Sequence, residues 1–268
     1  MGRTLMLIAA VFAVLSLSVL HAEPADNRNT TLPSYTVGVE LLNYEPFYFN
    51  NDKGYQGFAR EVFDLFQRQF HLRLTYIALP VDELKEQFYN KKFDFKFPDD
   101  PDWQLDKYKH IKVHYSNAVV SYVDGVCIKR SLANTPIQRI GIPRGFDSPL
   151  SSLAAGQATI VVIEKDSIEE LLHDLVKGEI DGAWGSMDVF RYKAKRYGKF
   201  NLNVDLTLPH KIGAYSLSTI DQVDVLTLFN RFLINNQEKI LELETKWRID
   251  ALRQLRHAQF RREKPKKQ

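Results

Sequence analysis

Cysteine is almost missing from this chain: Cys127 stands alone among 268 residues. No internal disulfide can form, so stability has to come from a packed apolar core. Cys127 lies in the strand-like run Val119–Ile128 and is expected to be a packed small residue rather than a reactive thiol. Charge of one sign is equally scarce. Thirty-six Lys and Arg against 33 Asp and Glu leave a formal +3, too little to hold a polyanion, so nucleic acid is not an expected partner. Catalytic signatures are absent too: the chain has no GxSxG, HExxH, P-loop or CxxC. His110 and His114, four apart, would share a face only on a helix, and Val113 and Tyr115 predict extended backbone there. No metal and no cofactor is expected. Internal repeats and low-complexity linkers are missing, and beyond residue 22 no run is long and apolar enough to span a bilayer.

What is present begins with the N-terminus. Arg3 precedes the uncharged run Leu5–Leu20, and Ala22 offers a small residue before Glu23 and Pro24. This is the pattern of a secretory signal cleaved after residue 22. The rival, an uncleaved anchor, falls just short of the roughly 17–25 residues a spanning helix needs. Residues 1–22 are therefore expected to be removed, leaving a soluble periplasmic protein beginning near Glu23.

Strand-like and helix-like patterns alternate through the remainder, as in α/β architecture. Tyr35–Leu42, Leu72–Ile77, Phe93–Phe97 and Val119–Ile128 read as strands. So do Ile137–Ile142, Thr159–Ile163, Ile180–Trp184 and Ile212–Leu217. Helices are expected from Gly57 (with Phe58, Val62, Leu65 and Phe66 on one face), over Val81–Asn90, Ser148–Ala155, Ser167–Lys177 and Met187–Tyr197, and through Asp221–Ala258. The basic stretch 261–268 reads as a solvated tail.

The segment from Tyr35 to Phe66, YTVGVELLNYEPFYFNNDKGYQGFAREVFDLF, is the most informative. A strand ends in a loop bearing Tyr44, Pro46 and Phe47, a polar turn follows, and Gly57 opens an amphipathic helix. This resembles the first βα unit of periplasmic solute-binding proteins of the amino-acid-binding (family 3) type. Glu45 stands where the first Pro of the family's pair is usual, and the helix Asp is displaced to Asp64. Tyr115-Ser116, IGIPRG (140–145), LLHDLVKGEIDGAWG (171–185) and the closing Lys246-Trp247 are similar to later family segments, in the right order. The resemblance implies a type II periplasmic binding protein: two Rossmann-like lobes around a cleft. Lobe 1 would be 33–118 plus 216–260 and lobe 2 would be 128–210.

The departures bear on function. The family's carboxylate-clamping Arg precedes the Tyr-Ser position, yet no Arg lies between Phe97 and Tyr115. Lys109 is at about the family spacing; it supplies charge but not the planar fork. The family's ammonium-binding Asp falls at Ser186, with Asp188 two residues on. Recognition is therefore expected to rest on Tyr44, Phe47 and Trp103, aromatic residues after strand ends. Lys109 or Arg144 would serve an anionic group, and Asp99 and Asp100 a cationic one. Arg144 sits at a strand-to-helix turn suited to an anion, the plain alternative being an N-cap by Asp147 or Ser148 ahead of Pro149. Ser186 is placed to face the cleft.

Three functions stay open. The first is a monomeric solute-binding protein that captures a small polar molecule for an ABC permease or a membrane sensor. The second is a dehydratase-like enzyme on the same scaffold, and the third is an interaction protein that kept the fold and lost the ligand.

Overall fold

In the computed structural model, residues 32–129, 136–146, 160–196, 202–204 and 210–263 are described. The expected signal segment 1–22, the helix Ser148–Ala155, the capping pair Asp147 and Ser148 and the end of the basic tail lie outside them.

The first strand, β1 (Ser34–Glu40), leads through the hairpin β2 (Phe49–Asn51) and β3 (Gly54–Gln56) into helix α1 (Phe58–Phe70). Gly57 starts that helix at φ 108°, ψ −173°, a conformation open only to glycine. A Cβ there would stand 2.8 Å from the Phe47 carbonyl oxygen. The buried face of α1 carries Phe58, Val62, Phe63 and Phe66, whereas Leu65 is only half-buried. Phe63 takes the more central place, packing edge-on to Phe97 at 5.1 Å.

Strand β4 (Arg73–Leu79), helix α2 (Val81–Tyr89) and strand β5 (Phe95–Asp99) follow, then two short 3-10 turns and β6 (His114–Tyr115). The long β7 (Val120–Lys129) leads to β8 (Arg139–Pro143), β9 (Val161–Lys165), α3 (Ile168–Lys177), β10 (Gly182–Ser186) and α4 (Met187–Arg196). Helix α3 is capped by Ser167, whose hydroxyl accepts from the Glu170 N–H at 3.1 Å, and is stopped by Gly178 at φ 78°. Strand β11 (Leu202–Val204) and β12 (Lys211–Thr219) precede α5 (Val223–Asn235), α6 (Gln237–Trp247) and α7 (Ala251–Glu263). The long C-terminal helical pattern is thus interrupted twice. The Asn236 side-chain amide donates to the Phe232 carbonyl and to Gln69, and Arg248 turns left-handed at φ 59°.

The strands run in the order β4-β1-β5-β12-β7-β10-β8-β9, with β6 added to β12 and β11 to β7. β1 is parallel to β4 and β5 at one end, and β8 is parallel to β9 and β10 at the other. Antiparallel β12 joins the two sets: Ser216 lies opposite Asp99 of β5, while Lys211–Tyr215 pair with Asp124–Val120 of β7. Each parallel set is a βα series, and the antiparallel pair β12 and β7 lies between the two sets. The chain is an α/β protein of two-lobed type. Aromatic contacts of α1 with α5, such as Phe66 with Phe229 at 5.0 Å and Phe232 at 5.6 Å, each add about 0.5–1.5 kcal/mol beyond area burial. No helix among the described residues is long and apolar enough to cross a membrane.

Candidate functional site

The end of β1, the segments following β5 and β8, and residues of β7, β10 and β12 enclose a cavity of about 430 Å³. Aromatic side chains dominate its walls: Tyr48, Trp103, Phe146, Trp184 and Tyr215. Between them stand Glu40, the last residue of β1, and Asp124 of β7, with Val81, Lys85, Asp102, Gly145, His210 and Lys211 completing the lining. This is the composition of a small-molecule site: apolar faces that exclude water and a few polar groups that orient the occupant.

The two carboxyls are unusual. Glu40 is 5% exposed and Asp124 7%. Burial is the main cause that raises each to about 7; Tyr48, Lys96 and Lys85 pull Glu40 back down, and Lys211 does the same for Asp124. The Tyr48 hydroxyl donates to Glu40 Oε2. Asp124 Oδ1 has no hydrogen-bond partner among the described residues, and neither has the Trp184 indole N–H. The bases are more exposed. Lys211 Nζ lies 3.1 Å from Asp102 and 3.8 Å from Asp100. Lys85 Nζ donates to the Gly145 carbonyl at 3.0 Å, joining α2 to the turn after β8.

Of the residues singled out in the sequence, Trp103 lines the cavity, half-buried between Tyr122 and Tyr215 at 6.1 and 5.9 Å. Tyr44 and Phe47 are fully buried outside the lining, and Tyr44 OH accepts from the Ser186 N–H at 2.8 Å. Ser186 is itself fully buried, its hydroxyl without a partner among the described residues. Asp99 turns inward, 2.9 Å from Lys96 Nζ and accepting from Ser218 Oγ at 2.5 Å. Asp100 accepts from the Tyr122 hydroxyl at 2.8 Å and from the Asp102 N–H. Lys109 is 68% exposed and paired with Asp106. Arg144 is 58% exposed and held by Glu164 and Asp166, although Gly145 and Phe146 beside it do reach the cavity.

Asp188 has a different task. It is 3% exposed and accepts from the N–H groups of Asp250 and Ala251 at 3.0 Å each, so it closes the start of α7. Burial raises its carboxyl to about 6, partly countered by those two hydrogen bonds. Cys127 is buried, which pushes its thiol up and keeps it unreactive.

Glu40, Asp124 and Trp184 escaped the sequence reading. One signal was available: Asp124 is the only acid in the apolar run Val119–Ile128, and a lone acid in a buried strand calls for a partner. Among the described residues no group of three His, Cys, Asp or Glu is placed to hold a metal.

No family model matches the chain, and no curated protein matches it in sequence. Solved structures do match in fold. The P235GK mutant of the arginine-binding protein ArgBP from T. maritima aligns with a TM-score of 0.64 at 17% identity, over 80% of this chain and 94% of that one. A periplasmic His/Glu/Gln/Arg/opine family-binding protein from Silicibacter pomeroyi, in complex with lysine, gives 0.63 at 15% identity, over 80% and 96%. The ancestral amino acid-binding protein AncCDT-1, a precursor of cyclohexadienyl dehydratase, gives 0.63 at 17%, over 80% and 94%. The chain has the fold of these two-lobed binding proteins.

Proposed function

We propose that this chain is an exported, monomeric solute-binding protein. Its lobes, 33–118 with 216–260 and 128–210, close on a small polar molecule and present the closed form to an ABC permease or a membrane sensor. The observation that carries the reading is the cavity itself, walled by aromatics and holding buried polar atoms that have no partner among the described residues. Such atoms cost free energy when empty and are satisfied by a ligand. Several contacts join the two proposed lobes around it: Lys85 to Gly145, Tyr44 to Ser186, Tyr44 against Phe146 at 5.5 Å, and the buried Lys193 with Glu45. A ligand that bridges the same surfaces binds the closed state more tightly and so shifts the population toward it.

The test is a thermal-shift screen of amines, amino acids, organic acids and sugars, followed by small-angle scattering with a hit. A smaller radius at saturating ligand is expected; an unchanged radius would rule out hinge closure. Export is tested at the N-terminus. Protein recovered from the periplasm should begin near Glu23, and full-length chain in the membrane fraction would refute cleavage.

One observation favours a second reading. Glu40 and Asp124 both titrate near neutrality, as an acid–base pair in a cleft requires. Mass spectrometry of each hit after incubation with the protein separates the two: turnover identifies an enzyme, an unchanged hit a binder.

A further inference from the structure

Asp124 and Trp184 share one face of the sheet. On neighbouring strands Asp124 lies opposite Ser186, and Trp184 opposite Val126. A period of two therefore brings the carboxyl and the indole diagonally together. Both line the cavity, at 7% and 1% exposure. Asp124 Oδ1 has no donor and Trp184 Nε1 no acceptor among the described residues. Lys211 is Asp124's register partner on β12, but its ammonium is drawn to Asp102. Glu40 adds a second buried carboxyl, engaged on Oε2 by Tyr48. The occupant must therefore bring a donor to Asp124 and an acceptor to Trp184.

We propose that Asp124 and Glu40 form a cation subsite, so that the ligand taken by this cavity is a small protonated amine with an acceptor elsewhere on its body. The proposal rests on the binding reading above. An ammonium both supplies the missing donor and neutralises buried acid, with hydrogen bonds about twice as strong as neutral ones. Trp103, Trp184 and Tyr215 line the same cavity, and aromatic rings attract a cation that reaches their faces. An anion would sit against two buried carboxyls instead, while the basic groups nearest it are already drawn to Asp102 and to the Gly145 carbonyl.

Proton linkage gives an independent readout. Empty, the two carboxyls hold protons up to about pH 7. The groups acting on them are Lys211 and Asp100 for Asp124, and Tyr48, Lys96, Lys85 and Asp99 for Glu40. An amine binds the ionised forms and so expels those protons. Affinity should rise about tenfold for each displaced proton between pH 6 and pH 8.

The experiment is calorimetry on purified exported protein with two matched series: tyramine, tyrosol and 4-hydroxyphenylacetate; 5-aminopentan-1-ol, 1,5-pentanediol and 5-hydroxypentanoate. The amine of at least one series should bind more tightly than its alcohol and its acid. It should release protons when measured in buffers of different ionisation enthalpy. Asp124→Asn should lose about tenfold or more in amine affinity while still melting cooperatively. An alcohol or acid that binds as tightly as its amine overturns the cation subsite but leaves the binding reading standing. So does amine binding without proton release, or with undiminished affinity in Asp124→Asn. If no compound of either series, nor any in the wider screen, binds the folded protein, both the subsite and the binding reading fall.

Discussion

Asp124→Asn should make the ligand-free protein more stable, because the carboxyl is held in the cavity wall at a cost. Its pKa rises from 3.8 to about 7 on folding. At about 1.36 kcal/mol per unit, ionised Asp124 destabilises the empty fold by about 4 kcal/mol above pH 7. The replacement amide is isosteric and uncharged, but it leaves buried polar atoms unsatisfied, which costs about 1–3 kcal/mol. The net gain is about 1–3 kcal/mol, or about 2–12 °C in Tm for a domain of this size. The sign with pH follows from the raised pKa. The folded carboxyl keeps its proton while the unfolded one loses it near 3.8, so the parent loses stability as pH climbs from about 4 to about 7. Between pH 5 and pH 8 the variant's advantage should grow by about 2–3 kcal/mol. The assay is circular-dichroism melting of both proteins at the two pH values, after unfolding and refolding to strip any co-purified ligand. A variant that melts below the parent by the same margin at both pH values would refute the reasoning, since it would mean that Asp124 is stabilised in place.

Three further outcomes are expected. Trp103→Ala should weaken binding of a confirmed amine by about five- to 150-fold, the loss of about 1–3 kcal/mol of stacking and burial, with the far-UV spectrum unchanged; unaltered affinity would exclude the loop at 97–103 from the site. Asp188→Ala removes the acceptor for the Asp250 and Ala251 N–H groups and should cost about 1–3 kcal/mol in urea unfolding; an unchanged midpoint would show that α7 does not depend on that cap. Gly57→Ala combines a glycine-only backbone with a Cβ 2.8 Å from backbone atoms of Phe47 and Tyr48, and should cost about 3 kcal/mol or more; a loss below 1 kcal/mol would show that the turn relaxes freely.

Much of the fold was legible because its causes are local. The alternation of period-two and helical patterns placed nearly every element, and Ser167 and Gly178 marked the ends of α3 by their own chemistry. The single cysteine excludes an internal disulfide whatever the fold, so the core has to carry the stability. Boundaries slipped where pairing decided them. β5 runs on to Asp99, which pairs with Ser216 of β12 and accepts from Ser218 Oγ.

The site was legible only in outline. The sequence by itself determined that aromatics and polar residues gather near strand ends, and Trp103 is one that lines the cavity. It gave no means of telling which acids stay available, because availability depends on partners far along the chain. Asp99 and Asp100, conspicuous in FPDDPDW, are engaged by Lys96, Ser218 and Tyr122. Asp188 is engaged by backbone N–H groups 62 and 63 residues away. Asp124 and Trp184 acquired their meaning only when antiparallel pairing of β7 with β10 set them on one face of one cavity. Propensity and pattern act over a few residues, whereas satisfying a buried charge is settled by whatever the tertiary fold brings within about 3 Å of it.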